Sequence, residues 1–258
     1  MSSAQSSTID RLKSEPRFAS LKHSLDVYYG DVEREIAMDA LYGRFLTKSA
    51  LAFDIGSHVG DRIASFRRQG ARVVALEPQP DCFAVLDQLY CCDGSVTLLN
   101  SACGPRPGEL ILHVNSSNPT VTTASPAFIK AADGAGGWEG QLWDREIAVP
   151  VTTLDALIAK HGVPAFIKID VEGFEADVLA GLSRSVPALS FEFTTIQRDV
   201  AYACLDTLDR LGNYGFDIAL GESQNFTFGR WKTATEMRRH IESLPHEANS
   251  GDVYAVLV

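Results

Sequence analysis

A doubly wound α/β fold is what this sequence predicts, and three observations predict it. Apolar runs of strand length alternate with helical stretches through most of the chain. The run Phe53-Asp54-Ile55-Gly56-Ser57-His58-Val59-Gly60 reads as a strand entering a glycine turn and then a helix. Val73-Val74-Ala75-Leu76-Glu77 reads as a second strand closed by an acid. Together they form half of a nucleotide-binding fold, with parallel strands joined by right-handed crossovers.

The elements follow in order. The opening Met-Ser-Ser-Ala-Gln-Ser-Ser is polar and expected to be disordered to about Ser7. Residues 20–46 read as helical, because Tyr28, Val32, Ile36, Ala40 and Tyr42 recur near a 3.6 period, and this piece is expected to cap the fold. Leu51, Phe53 and Ile55 then mark a strand over 51–55, followed by a helix over 61–69 stopped by Gly70, a strand over 72–76, a helix over 80–90 and a strand over 96–100. A β-like pair at 109–114 and 147–151 flanks residues 115–146, which are rich in Ser, Thr, Asn, Ala and Gly. A stretch of that length with little periodicity is usually functional or mobile. The second half reads helix 153–160, strand 165–169, helix 172–182, strand 188–193, helix 199–211 and strand 216–220. A short helix over 236–244 capped by Thr235 and a last strand over 253–257 complete seven main strands. The expected organisation is a tail and helical cap over 1–48 and one domain over 49–258, with 115–146 inserted.

Composition narrows the function. A hydrophobic content of 45% in 258 residues is ample for one core. The net charge of -10, from 23 basic and 33 acidic residues without a Lys/Arg cluster, argues against a nucleic-acid partner and favours a small neutral or cationic one. No signal-like apolar core opens the chain and no run approaches the roughly 18 apolar residues of a membrane span, so a cytoplasmic protein with no membrane partner is expected. Cys82, Cys91, Cys92, Cys103 and Cys204 are odd in number, lack C-x-x-C spacing and sit in or beside apolar segments. Buried reduced thiols are expected, rather than zinc ligands or disulfides.

The glycine turn departs from the dinucleotide pattern G-x-G-x-x-G, because position 58 is His58. Its form, Asp-x-Gly-x-x-x-Gly, resembles motif I of class I S-adenosylmethionine-dependent methyltransferases. That resemblance implies that Asp54 faces the cofactor's amino group, that Gly56 and Gly60 make room for its methionine portion, and that Glu77 takes both ribose hydroxyls. A second run, Phe166-Ile167-Lys168-Ile169-Asp170-Val171-Glu172-Gly173-Phe174-Glu175, continuing Val178-Leu179-Ala180-Gly181-Leu182, closely resembles the signature of the FkbM family of methyltransferases. The similarity includes Thr153-Leu154-Asp155-Ala156-Leu157 and Leu189-Ser190-Phe191-Glu192-Phe193, and covers about residues 51–193. It implies a Rossmann-like class I methyltransferase fold, a seven-stranded, mostly parallel sheet with helices on both faces, to which the helical reading of residues 20–46 adds an N-terminal helical extension. It also implies S-adenosylmethionine as cofactor and O-methylation of a hydroxyl on a small molecule, sugar or secondary metabolite. Ser57, His58, Ser101, Ala102 and Asp170 join the implied cofactor-binding residues.

The same residues read from below give a compatible picture. Ligands of doubly wound sheets sit at the carboxyl ends of strands, where Asp54, Glu77 and Asp170 fall. Strand alternation puts Phe166, Lys168 and Asp170 on one face, so Lys168 is partly buried and needs a partner, with Asp170 and Asp54 the candidates. The pair either fixes the sheet ends or orients the acid facing the transferred methyl. An alcohol acceptor must lose its proton near the transition state, so a general base is needed. Asp170 is the first candidate, then Glu172 or Glu192, with His58 a further one whose ring faces solvent, backbone or substrate. Glu172 and Glu175 fall in a helix's first turn, where the macrodipole favours negative charge without any function. Asp170, Glu172 and Glu192 are a donor set suited to Mg²⁺, but no spacing supports a metal site and none is assigned. Trp138, Trp143 and Phe128 within 115–146 suit either an acceptor lid or packing against the sheet. The rival readings are an inactive cofactor-binding module regulating a partner and a nicotinamide-dependent oxidoreductase, the latter disfavoured by the absence of a Tyr-x-x-x-Lys pair.

Overall fold

Seven strands lie side by side in the computed structural model, which describes residues 3–258. The chain enters through three helices, α1 (Ser3–Ser14), α2 (Lys22–Tyr29) and α3 (Val32–Tyr42), with a 3-10 turn at Pro16–Leu21 after the first. Met1 and Ser2 lie outside the described residues, but from Ser3 to Ser7 the expected disorder gives way to helix. The reason is tertiary: Leu12, Phe18, Leu21 and Leu25 bury themselves with Val59, Cys82 and Val85, and a polar segment becomes helical by docking. Asp31 caps α3 by accepting from the amides of Glu33 and Arg34 at 2.9 and 3.0 Å.

Alternation then proceeds through β1 (Leu51–Ile55), α4 (Asp61–Arg68), β2 (Arg72–Leu76), α5 (Pro80–Tyr90) and β3 (Val96–Leu99). A small second sheet follows, made of β4 (Ala102–Cys103), β5 (Gly108–Val114) and β6 (Arg145–Thr152), with α6 (Pro126–Ala132) between β5 and β6. The chain returns to the main sheet with α7 (Leu154–His161), β7 (Phe166–Ile169), α8 (Glu175–Ala180), β8 (Ala188–Thr194), α9 (Arg198–Leu211), β9 (Tyr214–Leu220), α10 (Ala234–Ser243) and β10 (Ser250–Leu257). The main sheet runs β3-β2-β1-β7-β8-β10-β9, with β10 antiparallel to β8 and β9 and the other pairs parallel. Strand order reverses direction between β1 and β7, which opens a crevice at their carboxyl ends.

Each strand supplies both faces of the sheet. Phe53, Ile55, Ile167 and Ile169 pack with Leu157, Val178, Leu179 and Leu205 of α7, α8 and α9. Ala52, Val73, Ala75 and Phe166 pack with Met38, Leu41, Ile63 and Phe66 of α3 and α4. Strands buried on both sides read as continuous apolar runs, which is why they were legible.

Three expectations are corrected. The helix expected over 172–182 is shorter, because Glu172 and Gly173 take positive φ of 54° and 85°, and a turn precedes α8. Thr233, not Thr235, caps α10, through a reciprocal capping box with Glu236. Cys91 and Cys92, at the exposed end of α5, are not buried; their Sγ atoms lie 3.6 Å apart, whereas Cys82, Cys103 and Cys204 are buried. Among the described residues, no helix is long and apolar enough to cross a membrane.

Candidate active site

The glycine turn after β1 is shaped by the neighbouring strand end. Gly56 has φ +84°, and a Cβ there would stand 1.8 Å from the Asp170 carbonyl oxygen, so only glycine lets β1 and β7 close at this point. Gly60, with φ +87°, precedes α4 and packs on α5, where a Cβ would meet Leu86 and Tyr90 at 2.7 and 2.8 Å. It does not line the crevice. Asp54, Gly56, Ser57, His58 and Glu77 do, together with Ser101, Ala102, Asp170, Glu172 and Glu192. The crevice holds about 1060 Å³ not occupied by protein atoms, its open mouth included.

Two carboxyls in it ask for a ligand. Asp54 is 0% exposed and neither carboxylate oxygen has a hydrogen-bond partner; burial raises its pKa to about 7. Glu77 is buried at the end of β2, oriented by the amides of His58 and Gln79 at 2.8 Å each, and burial raises its pKa to about 8. A buried carboxylate without a partner is costly unless a cation or donor arrives, and a nucleoside carrying an ammonium offers both. His58 is half-buried beside Tyr28, with Nε2 3.4 Å from Thr120 Oγ1 and Nδ1 3.4 Å from Cys82 Sγ; desolvation of the ring lowers its pKa to about 4, so its ring is neutral.

Lys168 is fully buried. It donates to Asp170 at 2.9 Å, as one alternative expected, and to Asp252 of β10 at 2.7 Å in place of Asp54. Burial opposes charge on Asp170, but the Lys168 ammonium outweighs it and holds that carboxyl below its ordinary value. Glu172 and Glu192 are pushed well above theirs, by burial and then by the charge of Asp170. The three carboxyls offer oxygens all within 4.8 Å of one another, an arrangement able to share a proton or to hold a hard divalent cation. Glu172 sits in the tight turn before α8, its carbonyl accepting from Thr123 Oγ1 at 2.6 Å. Glu175 has a structural role: it accepts from the amides of Val171 and Gly173 and fixes that turn.

Sequence reasoning missed Asp252, which carries the same signal as Glu192, an acid inside an apolar strand. It also missed Tyr28, Asp61, Arg62, Thr120 and Glu222 of the crevice wall. Arg34 and Arg62 pair there with Asp61 and Glu222, and the two guanidinium charges hold the Glu222 carboxyl at about 2 against its burial. Pro119, Thr120, Thr122 and Ala124 of the inserted segment face the crevice. Its aromatic residues do not: Phe128 and Trp138 meet edge to face at 5.1 Å in a small core of their own, and Trp143 donates to the Val121 carbonyl.

This sheet order, with its acids gathered at the β1/β7 switch point, defines a Rossmann-like class I methyltransferase dependent on S-adenosylmethionine. The chain belongs to the FkbM methyltransferase family: the Methyltransferase FkbM domain matches it over residues 54–218. No curated protein matches. Among solved structures, the chain is similar to a putative O-methyltransferase from Klebsiella pneumoniae, at 10% identity, 97% of this chain, 89% of that one and a TM-score of 0.44. It is also similar to a precorrin-6y C5,15-methyltransferase from Geobacter metallireducens, at 13% identity, 87% of each chain and a TM-score of 0.42. An rRNA methylase from Streptococcus thermophilus stands at 10% identity, 88% of this chain, 99% of that one and a TM-score of 0.44.

Proposed function

We propose that this chain methylates a hydroxyl of a small molecule, a sugar or another secondary metabolite, with Asp170 taking the proton. The observation that carries the reading is the carboxyl cluster of Asp170, Glu172 and Glu192 at the crevice wall, beside the turn that holds Asp54 and Glu77. When bound, S-adenosylmethionine supplies an electrophilic methyl group on a sulfonium. Asp54 would hold its amino group and Glu77 its ribose hydroxyls, with Gly56, Ser57, Ser101 and Ala102 lining the same crevice. An alcohol needs help to lose its proton. Asp170 remains ionised through Lys168 and is free to accept, whereas Glu172 and Glu192 hold protons more tightly through burial and the charge of Asp170.

Pro119, Thr120, Thr122 and Ala124 make the insertion the acceptor-side wall, and their small, partly hydroxylated surface suits a neutral oxygenated acceptor. The chain's net charge of -10 fits such an acceptor better than a polyanion. The experiment is calorimetry with S-adenosylhomocysteine and with NADH, followed by mass spectrometry of an acceptor panel incubated with S-adenosylmethionine. Binding of the first ligand alone, with a gain of one methyl on an oxygen atom, is the expected result. Methyl on nitrogen or carbon rejects the hydroxyl reading, and cofactor binding without any product favours an inactive module.

A further inference from the structure

A second hollow opens beside the crevice, between the helical cap and the inserted segment. It encloses about 850 Å³ with its open mouth included, and Tyr28 and Thr120 line both it and the crevice. The two hollows therefore share a wall, to which α2 and the stretch after β5 each contribute. Tyr28 is a fixed part of that wall, because Arg34 lies over its ring at 4.9 Å and the ring meets that of His58 edge-on at 5.9 Å. The remaining lining has one chemical character. Ser20, His23, Ser24, Ser117, Asn118 and Thr120 carry hydroxyl, imidazole or amide groups, each able to give and to accept hydrogen bonds. Among the described residues, no Lys, Arg, Asp or Glu lines this hollow, and Val27 adds one aliphatic side chain.

At the shared wall these groups satisfy one another poorly. Ser24 Oγ stands 3.3 Å from Thr120 Oγ1, and Thr120 Oγ1 stands 3.4 Å from His58 Nε2. Both separations exceed the roughly 3.2 Å within which such bonds are usually made. Ser24 is only 4% exposed, so water offers its hydroxyl little compensation. A ligand hydroxyl entering between Ser24 and Thr120 would give both a closer partner, since it too donates and accepts. A phosphate or carboxylate would meet no cation in this lining, and a hydrocarbon would leave its polar groups stranded.

We propose that this outer hollow binds an uncharged, polyhydroxylated ring of the acceptor, adjoining the part that reacts in the crevice, with Ser24 and Thr120 selecting it. The proposal rests on the acceptor reading above, and its test separates the two. Saturation-transfer NMR is run on the protein with and without S-adenosylhomocysteine. The probes are methyl pyranosides of glucose, galactose, mannose and rhamnose, with glucose 6-phosphate as a charged ring and cyclohexanol as a ring with a single hydroxyl. At least one neutral pyranoside is expected to bind, and more tightly than the other two probes. Thr120→Val should weaken it about threefold to tenfold, the worth of one neutral hydrogen bond. Ser117→Trp, at an exposed residue that lines the outer hollow but not the crevice, should abolish pyranoside binding while calorimetry finds S-adenosylhomocysteine affinity within about twofold of the parent. His23→Leu, also exposed and confined to the outer hollow, gives the same reading with a smaller loss should Ser117→Trp fail to fold. The assignment is overturned if no pyranoside binds, if glucose 6-phosphate or cyclohexanol binds as tightly, or if pyranoside binding survives both variants unchanged. Methyl transfer to an oxygen that is indifferent to both variants keeps the hydroxyl reading and removes this one. Pyranoside binding blocked by Ser117→Trp, with methyl appearing on nitrogen or carbon, keeps this site and removes the hydroxyl reading.

Discussion

Asp54 shows how one residue links fold stability to ligand binding. Its folded pKa of about 7 and that of Glu77, about 8, both exceed the values of an unfolded chain. Between about pH 4 and about pH 8 the folded state therefore binds more protons than the unfolded one, and the contribution of these two groups to stability falls as pH rises through that window. Thermal melts of the free protein should show that fall, S-adenosylhomocysteine should offset it, and Asp54→Asn should flatten it. Binding an ammonium requires the ionised Asp54, so affinity should drop by up to about tenfold per pH unit below about 7, with a proton released on binding. Calorimetry in buffers of different ionisation enthalpy measures that proton, and its persistence in Asp54→Asn would assign it elsewhere. Asp170→Asn keeps the shape and removes the proposed base. Turnover should fall about 10² to 10⁴-fold while cofactor affinity changes little, and an assay with EDTA and with added Mg²⁺ distinguishes a carboxylate base from a metal-held alkoxide.

Among the elements, legibility followed burial. β1, β2 and α5 lie within the spans expected from sequence, because apolar runs closed by Gly, Pro or an acid carry their own boundaries. α1 was illegible for the opposite reason: its own residues are polar, and its helix depends on Leu12 docking beside Val85, which no local pattern announces. The inserted segment was legible as a unit but not in its use of aromatics, since Phe128 and Trp138 find each other rather than a ligand. Its exposed glycines, Gly134, Gly136, Gly137 and Gly140, lie away from the crevice-facing stretch. Limited proteolysis should nick near these glycines before 119–124, and cofactor with acceptor should slow cleavage across the latter stretch alone. Gly56→Val tests the turn itself. Its side chain would strike the Asp170 carbonyl at the β1/β7 junction, so binding of S-adenosylhomocysteine should be abolished and thermal stability lowered. Normal binding by that variant would show the turn to be dispensable.

At the scale of the whole molecule, the crevice is assembled from parts that sequence proximity cannot join. Lys168 and Asp252 are 84 residues apart and Arg34 and Glu222 are 188 apart, yet each pair meets beside the motif I turn. The acids of the two recognisable motifs were readable because one sheet edge gathers them; Arg34, Arg62, Glu222 and Asp252 were not, because their roles exist only once cap, core and last strands have met. Arg34 is the tie. It bonds Asp61 and Glu222 at 2.8 Å and lies over the Tyr28 ring at 4.9 Å, so it holds the helical cap to α4 and to the loop after β9. Arg34→Met should lower stability by about 1 to 3 kcal/mol, less than a fully broken buried pair, because Arg62 still serves both acids. Denaturant titration measures that loss, and Glu222→Gln added to Arg34→Met should cost less than the sum of the two, since the residues share one interaction. Hydrogen exchange locates the effect: amides of α2 and α3 should exchange faster in Arg34→Met while those of β1 and β7 keep their protection. A uniform loss across the sheet would mean that the cap and core open as one unit and that Arg34 is not what ties them together.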